Sequence, residues 1–537
     1  MAEGPEPVTI NYSLKNIPIP SIDSYKKRLI EMTERVIQRM RWRAFFFLRG
    51  DDNNNEDDQP EGKQRYGFKS RKCPPQIEEL NRFESDMLKM VQNVRFRGSG
   101  SDDFQKTLRK DAQRIRRSND VFVPADKSRN LYKVKREQYE KLLQENVMNH
   151  YKVAPENSFD DVNVEAKSIA KDLGIAGRVE TMAKKRAFIT FKDHKENFEY
   201  KLPCRLINPA KSEMGRISKR ILESINERMV AKLDVQLWKN TNAVIDWFNN
   251  LEGKQGCAFT CFDIVEFYPS ISEQLLKKAL DFAKEYIDIP EQDMEIIFHS
   301  RKSLLFNGDK TWKKKSGSGM FDVAMGSFDG AEVCELVGVF ALSKTTGTFG
   351  KGSIGLYRDD GLAVSKGKSG SEMERTKKTL TKQYSDLGLR ITIQTNLSIA
   401  NFLDVTFNLK TGKHYPYRKP NDIPLYIDKR SNHPPPVISN IPAGISRRLT
   451  DVSSDKECFD RAAPLYNNAL ASSGYSECVA FLKDRKEQKA KLKRARRRNI
   501  TWFNPPYSKN VETNIGRKFL SFIGKCVSQG ALVLAMY

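Results

Sequence analysis

Three aspartates carry the chemical interest of this sequence. Asp263 closes the apolar run 258–262, in the segment CAFTCFDIVEFYPSIS. Asp359 and Asp360 stand side by side in GSIGLYRDDGLAV, with Gly361 directly after them. Adjacent carboxylates repel each other, and divalent cations placed between them relieve the repulsion. Three convergent carboxylates offer hard oxygen donors of the kind Mg²⁺ takes. Two such ions can stabilise both the attacking and the leaving oxygen of an in-line phosphoryl transfer. The plain alternatives are a turn capped by Asp263 and an ordinary Asp-Asp-Gly turn, both common uses of these residues.

The acids are useful only if the chain brings them together. Run 258–262 has strand length and little polar alternation, as in a strand buried on both faces. A turn containing Pro269 follows. Ser270 and Glu273 have capping-box spacing, and Leu276, Ala279, Leu280 and Ala283 then keep helical period. The apolar runs around Asp359 and Asp360 read as a hairpin with the acids at its tip. Upstream, NDVFVPADKSRNLYKV and RAFITFKDHKENFEYKLPCRLINPA each read as strand, polar loop, strand. GRISKRILESINERMVAKL reads as a basic amphipathic helix. Residues 21–50 and 76–117 are expected to be helical, the second stretch broken near 98–101. Between them, 50–66 is acidic and Asn-rich and reads as a disordered loop.

Composition narrows the function classes. The chain has 537 residues, enough for several packed units. Its 92 Lys and Arg against 68 Asp and Glu give a net charge of +24, spread along the chain, which favours a polyanion partner such as nucleic acid. The run 483–498, KDRKEQKAKLKRARRR, could lie along a duplex backbone, serve as a nuclear import signal, or be a solvated helix face. In it Lys493, Arg494, Arg496, Arg497 and Arg498 are the candidate nucleic-acid contacts. The eight cysteines include no C-x-x-C pair, so they read as reduced core thiols in an intracellular protein. No stretch of about 18 apolar residues exists to span a membrane, and the N-terminus lacks signal-peptide character.

In its motifs the chain resembles reverse transcriptases. YRDD (Tyr357–Asp360) is similar to their Tyr-x-Asp-Asp box, and FDIVEFYPSI to their first catalytic box. VAMGSFDGAEVCELVGVFAL, between the two, is similar to the glycine-containing box of the nucleotide and template pocket, although it lacks the Ser-Pro that commonly follows that glycine. FKDHKENFEYKLPCRLINPA resembles the fingers motif, and NFLDVTFNL the primer-grip hairpin. More finely, PADKSRN, KDHK, CRLINPAKSE, DIVEFYPSI and WFNPPYSKNVETNIGRKFL resemble the Penelope-like retroelement subgroup. Those proteins usually continue into a GIY-YIG endonuclease, and no such motif is present here. The expectation is an endonuclease-lacking or truncated copy.

The resemblance implies an α+β, right-hand polymerase: fingers, palm and thumb, with an antiparallel palm sheet backed by helices. It places the fingers at 118–256, the palm at 257–410 and the thumb with a basic helical C-terminal region at 411–537, after a mostly helical region at 1–117. The implied activity is RNA-directed DNA synthesis on an RNA template, extending a DNA primer with deoxynucleoside triphosphates, in the nucleus. The implied cofactor is a pair of Mg²⁺ ions, replaceable by Mn²⁺. Asp263, Asp359, Asp360 and the backbone carbonyl of Ile264 would hold them. Lys192, Lys195, Arg205, Tyr268, Met325 and Gly326 would surround the nucleotide, with Tyr268 excluding a 2′-hydroxyl. Lys127, Arg129, Phe402 and Leu403 would touch template and primer. His194 reads as a loop residue. A non-catalytic or domesticated nucleic-acid-binding protein and an RNA-directed RNA polymerase are the alternatives.

Overall fold

The computed structural model describes residues 6–7, 16–48, 74–98, 102–126, 130–174, 176, 182, 184–196, 198–315, 319–419, 422, 424–482 and 502–527. Helices and sheets are mixed along the chain. It divides into two compact units. One comprises Met1–Val8, Asn119–Asp422 and Arg448–Ala463; the other comprises Thr9–Ser118, Ile423–Arg447 and Pro464–Tyr537. Among the described residues no helix is long and apolar enough to cross a membrane.

The first unit is organised by a five-stranded sheet. Its strands are β1 (Gln236–Leu237), β2 (Cys257–Ile264), β3 (Ile354–Tyr357), β4 (Asp360–Lys366) and β5 (Ile391–Leu397), in the order β5-β2-β4-β3-β1. All pairings are antiparallel except β1 with β3. The apolar run at 258–262 explains the central place of β2: Phe259, Phe262 and Ile264 are buried while Asp263 is exposed. The helix Gly330–Phe349 is apolar around nearly its whole circumference, as a helix enclosed in a core should be. Helix Gly370–Asp386 opens on a full capping box, Ser369 with Glu372, which satisfies two otherwise orphan N–H groups.

On one face, Phe259, Leu362 and Val364 join Phe248 of the helix Thr241–Asn249 in a core cluster. A second small sheet contributes Phe402, Val405 and Phe407 to the same cluster. That sheet is an antiparallel meander of β6 (Ile399–Phe402), β7 (Val405–Asn408) and β8 (His414–Pro416). Upstream, strands Val121–Pro124 and Leu131–Val134 pair antiparallel, as do Phe188–Phe191 and Cys204–Ile207. The basic amphipathic segment forms the helix Glu213–Leu233, capped by Ser212.

Three local expectations are corrected. Ser270 does not cap the helix after the Asp263 turn: its hydroxyl donates to the Val265 carbonyl, and Ser272 caps the helix Glu273–Lys284 by accepting from Leu275. The intervening Phe267–Ser270 forms a separate helical turn around Pro269, which displaces the start. The hairpin tip is Arg358-Asp359, with Asp360 already paired in β4. Of the described cysteines, all free, Cys334 and Cys458 are buried but Cys478 is exposed.

The second unit is helical in its described parts. Helices Ile22–Leu48, Glu78–Gln92 and Ile515–Val527 share a core with Leu29, Leu80, Phe83 and Met87 at its centre. Phe519 meets Phe83 edge-on at 5.7 Å and stacks on Phe503 at 4.7 Å. Helix Asp103–Arg117 is capped by Asp102, whose carboxylate accepts from the Phe104 N–H.

Candidate active site

The sheet brings the three aspartates together through backbone pairing. Asp360 is the direct cross-strand partner of Asp263 in the β4–β2 ladder. The Ile264 N–H donates to the Asp359 carbonyl at 2.9 Å, so the hairpin tip is bonded to the end of β2. Directly opposed residues of an antiparallel pair project to the same face, with Cβ atoms about 4.5–5.5 Å apart. Two carboxylates at that separation can share a cation or repel. Asp263 and Asp359 are exposed and Asp360 is half-buried. On this face the apolar cluster includes Cys261 and Leu362, one layer below the acids, and Tyr357, the cross-strand partner of Asp360. Burial, then the charge of Asp360, pushes the Cys261 thiol up to about 12, so it stays a neutral floor to the site.

The opposite face locks the two acidic strands. Phe262 and Gly361 are cross-strand partners next to the Asp263–Asp360 pair. A Cβ on Gly361 would lie 2.1 Å from Cζ of Phe262 and 2.4 Å from Cε1 and Cε2. The ring therefore lies across the glycine, and its outer side packs on Tyr384 at 5.4 Å. The tip is a two-residue turn between Tyr357 and Asp360, and Arg358 takes a φ of 56°, the sign that primed hairpin turns require at their first central position.

A cavity of about 410 Å³ lies beyond the end of β2, where Glu266, Pro269 and Ser270 reach it. Its charged lining is mainly cationic: Lys192, Arg205, Lys314 and Lys315 against Glu266 and Asp322. Arg205 is not solitary. It bonds Asp126 at 2.8 Å, and its Nε is buried without a hydrogen-bond partner. Burial, and next the adjacent Arg205, lower the pKa of the half-buried Lys192. Lys314 donates to the Pro269 carbonyl at 2.7 Å and stands 3.4 Å from Asp322. Lys195 and His194 are exposed on the turn between the two strands.

Met325 lines the same cavity, and its carbonyl accepts from the Asn208 N–H at 3.1 Å. Gly326 has a φ of 106°, and an added Cβ would stand 2.5 Å from the Asn208 carbonyl oxygen. A side chain is excluded there on both counts. Tyr268 lies against Gly330, 3.2 Å from where a Cβ would be. Burial pushes its hydroxyl up to about 12, so the ring stays neutral.

Other expected residues fall elsewhere. Phe402 is buried against Trp238 at 5.6 Å, so it presents no surface to a nucleic acid. Leu403, half-buried with a φ of 57°, occupies the turn between β6 and β7. Lys127, Arg129, Lys493, Arg494, Arg496, Arg497 and Arg498 lie outside the described residues.

Two features escaped sequence reasoning. Asn208, inside a segment noted for its arginine, also donates from its side chain to the Leu304 carbonyl, tying the Gly326 loop to a third segment. Arg301 reads as an ordinary surface residue in HSRKS, yet it is fully buried and ion-paired to buried Asp329 at the start of the helix Gly330–Phe349. Ser300 also donates to Asp329, at 2.7 Å. Nothing in the local sequence marks that pair.

Among the described residues no three His, Cys, Asp or Glu side chains close on a single point that could hold a metal ion. The donor set nevertheless suits a hard divalent cation: two opposed carboxylates, a third on the bonded tip, and room for the exposed pair to reorient. Such a centre beside a cationic cavity has the ingredients for phosphoryl chemistry.

No protein-family model matches the chain, and no curated protein matches it. Among solved structures it is similar to telomerase from Candida albicans in complex with a fragment of telomeric RNA, at 11% identity and a TM-score of 0.46, covering 74% of this chain and 70% of that one. It is similar to apo telomerase from Candida tropicalis, at 11% identity and a TM-score of 0.42, covering 85% and 88%. It is also similar to the RNA-dependent RNA polymerase of a human picobirnavirus, at 10% identity and a TM-score of 0.37, covering 77% and 88%. Likenesses this distant carry no argument about activity.

Proposed function

We propose that the chain is a template-directed nucleic-acid polymerase, an RNA-directed DNA polymerase of the Penelope-like reverse-transcriptase type. The observation that carries this reading is the register that sets Asp263 opposite Asp360 and bonds Ile264 to Asp359, beside a cationic cavity. In this reading the five-stranded sheet is the palm, the segments before it the fingers and those from 411 the thumb. The primer 3′-hydroxyl attacks the α-phosphate of a deoxynucleoside triphosphate, and pyrophosphate leaves.

Asp263 and Asp359 would hold a pair of Mg²⁺ ions, with Asp360 and the Ile264 carbonyl as the further donors. Bound there, the ions supply positive charge to the attacking and leaving oxygens. Arg205 offers a planar fork to phosphate oxygens, and Lys192 a point charge. Asp126 holds Arg205 in the cavity wall until phosphate arrives. Tyr268, neutral and set against Gly330, forms a flat wall that excludes a 2′-hydroxyl. The loop of Met325 and Gly326 holds its shape through Asn208. Catalysis is then a matter of positioning and charge, with no covalent enzyme intermediate.

Primer extension on an RNA template with Mg²⁺ tests this. Asp359→Asn should lower the rate a hundredfold or more, about 3 kcal/mol of barrier. Extension by that variant at the wild-type rate would remove Asp359 from the site. Preference for ribonucleotides over deoxynucleotides would instead identify an RNA polymerase. A second reading, a nucleic-acid-binding protein without catalysis, is favoured by the net charge of +24, which suits a polyanion partner whether or not the acids react. Binding without any extension by the wild-type chain would select it.

A further inference from the structure

The helix Asp103–Arg117 belongs to the helical unit, and no residue assigned to the proposed reaction lies on it. It has two contrasting sides. Gln105, Leu108 and Ala112 are buried. Gln105 anchors them: its side-chain oxygen accepts from the Ile19 N–H at 2.9 Å, and its amide donates to the Arg430 carbonyl at 2.9 Å. On the other side Lys106, Arg109, Lys110, Gln113, Arg116 and Arg117 are all exposed. Lys106, the pair Arg109 and Lys110, Gln113, and the pair Arg116 and Arg117 follow one another at three or four residues, which places them in one stripe along the helix. At about 1.5 Å of rise per residue the stripe is roughly 16 Å long.

The charges on this stripe are largely unspent. Lys106 pairs with Asp103, and off the stripe Arg114 stands 3.6 Å from Asp111. Among the described residues, Arg109, Lys110, Arg116 and Arg117 make no ion pair. Four cations held in a row on one rigid helix repel one another and are maintained against a mutual cost. An extended polyanion relieves that cost. A duplex presents about one charge per 1.7 Å of axis, so a 16 Å contact offers more phosphates than the stripe has cations. A membrane fits poorly, because the apolar side of the helix is buried in protein and leaves nothing to insert between lipids.

We propose that this stripe is a docking surface for the phosphate backbone of a nucleic-acid duplex, read by charge and without base contacts. The surface binds duplex ahead of single strands, because a rigid row of cations suits the dense, fixed phosphate array of a duplex better than a flexible strand. It stands independently of the polymerase reading, since binding is measured without catalysis.

The test is fluorescence anisotropy of a labelled RNA–DNA duplex with the full chain across a salt series. The variant Arg109→Gln, Lys110→Gln, Arg116→Gln, Arg117→Gln is compared with wild type. Each phosphate contact contributes about 0.9 to the slope of log affinity against log salt, so the slope should fall by about 3 to 4. On fourfold dilution of salt, wild type then gains roughly a hundredfold more affinity than the variant. The conservative variant Arg109→Lys, Arg116→Lys, Arg117→Lys should keep the wild-type slope, which separates charge from misfolding. An unchanged slope in the glutamine variant overturns the proposal. So does loss of slope in the lysine variant. Equal effects on single-stranded RNA overturn the preference for duplex. If only binding to phosphatidylserine vesicles depends on these residues, the surface is a membrane site instead.

Discussion

Gly361→Ala probes the coupling between the acidic strands. The new methyl would stand 2.1 Å from Cζ of Phe262 and 2.4 Å from both Cε atoms, well inside any tolerable contact. The ring cannot simply withdraw, because Tyr384 lies behind it at 5.4 Å. Either β4 separates from β2 or Phe262 leaves its place, and Phe262 is the residue before Asp263. Overpacking of this kind costs about 1–3 kcal/mol. Moving a reacting group by about 1 Å can cost roughly a hundredfold in rate. Leucine at 262 lacks Cζ and both Cε atoms, which are the atoms in collision. Phe262→Leu alone should cost no more than about 1.5 kcal/mol. Placed with Gly361→Ala it should restore most of the loss, giving a coupling of at least about 1 kcal/mol in a double-mutant cycle. Urea unfolding of all four proteins measures the stability arm, and primer extension the rate arm. Purely additive effects, or Gly361→Ala indistinguishable from wild type, would refute the locking argument.

Gly326→Ala should melt lower and raise the nucleotide KM, because both the φ of 106° and the Asn208 carbonyl oppose a side chain; the strain alone is worth about 1–3 kcal/mol, and steady-state kinetics with thermal melting measure it. Arg301→Met leaves buried Asp329 with the Ser300 hydroxyl but no cationic partner and should destabilise by about 3–5 kcal/mol, while Arg301→Met with Asp329→Asn should recover part of that in urea unfolding. Burial lowers the pKa of His299 below its ordinary 6.5. Below pH 6.5 the unfolded chain therefore binds a proton that the folded chain resists, so stability falls as pH drops from 6.5 towards the folded value. His299→Gln should flatten that part of a melting-temperature profile.

The acidic residues were legible because their chemistry leaves few alternatives: a carboxylate among apolar strand residues needs a reason. Their register was not, since only the folded ladder shows that Asp360 and not the tip residue opposes Asp263. Ser270 has capping-box spacing to Glu273, but the Pro269 turn moves the cap to Ser272 by geometry invisible to local spacing. Phe402 and Leu403 are adjacent apolar letters, and only the position of Trp238 tells which one is core. The charge of Arg205 was evident, but its partner Asp126 comes from a separate hairpin. Arg301 and Asp329 are individually unremarkable surface letters that become a buried pair only when two distant segments fold together. In the helix Asp103–Arg117 the cations were plain in the sequence. That they form a single face awaited the anchoring of Gln105.

The two-residue tip between Tyr357 and Asp360 has a consequence for how this gene can vary. Side chains along β4 alternate between faces, so a slip of one residue would set Gly361 where Asp360 stands and turn Leu362 and Val364 out of the core. Length changes in this hairpin are therefore tolerable only in steps of two. Related copies compared codon by codon should show single-residue insertions accumulating in the loops beyond β4, and none inside it.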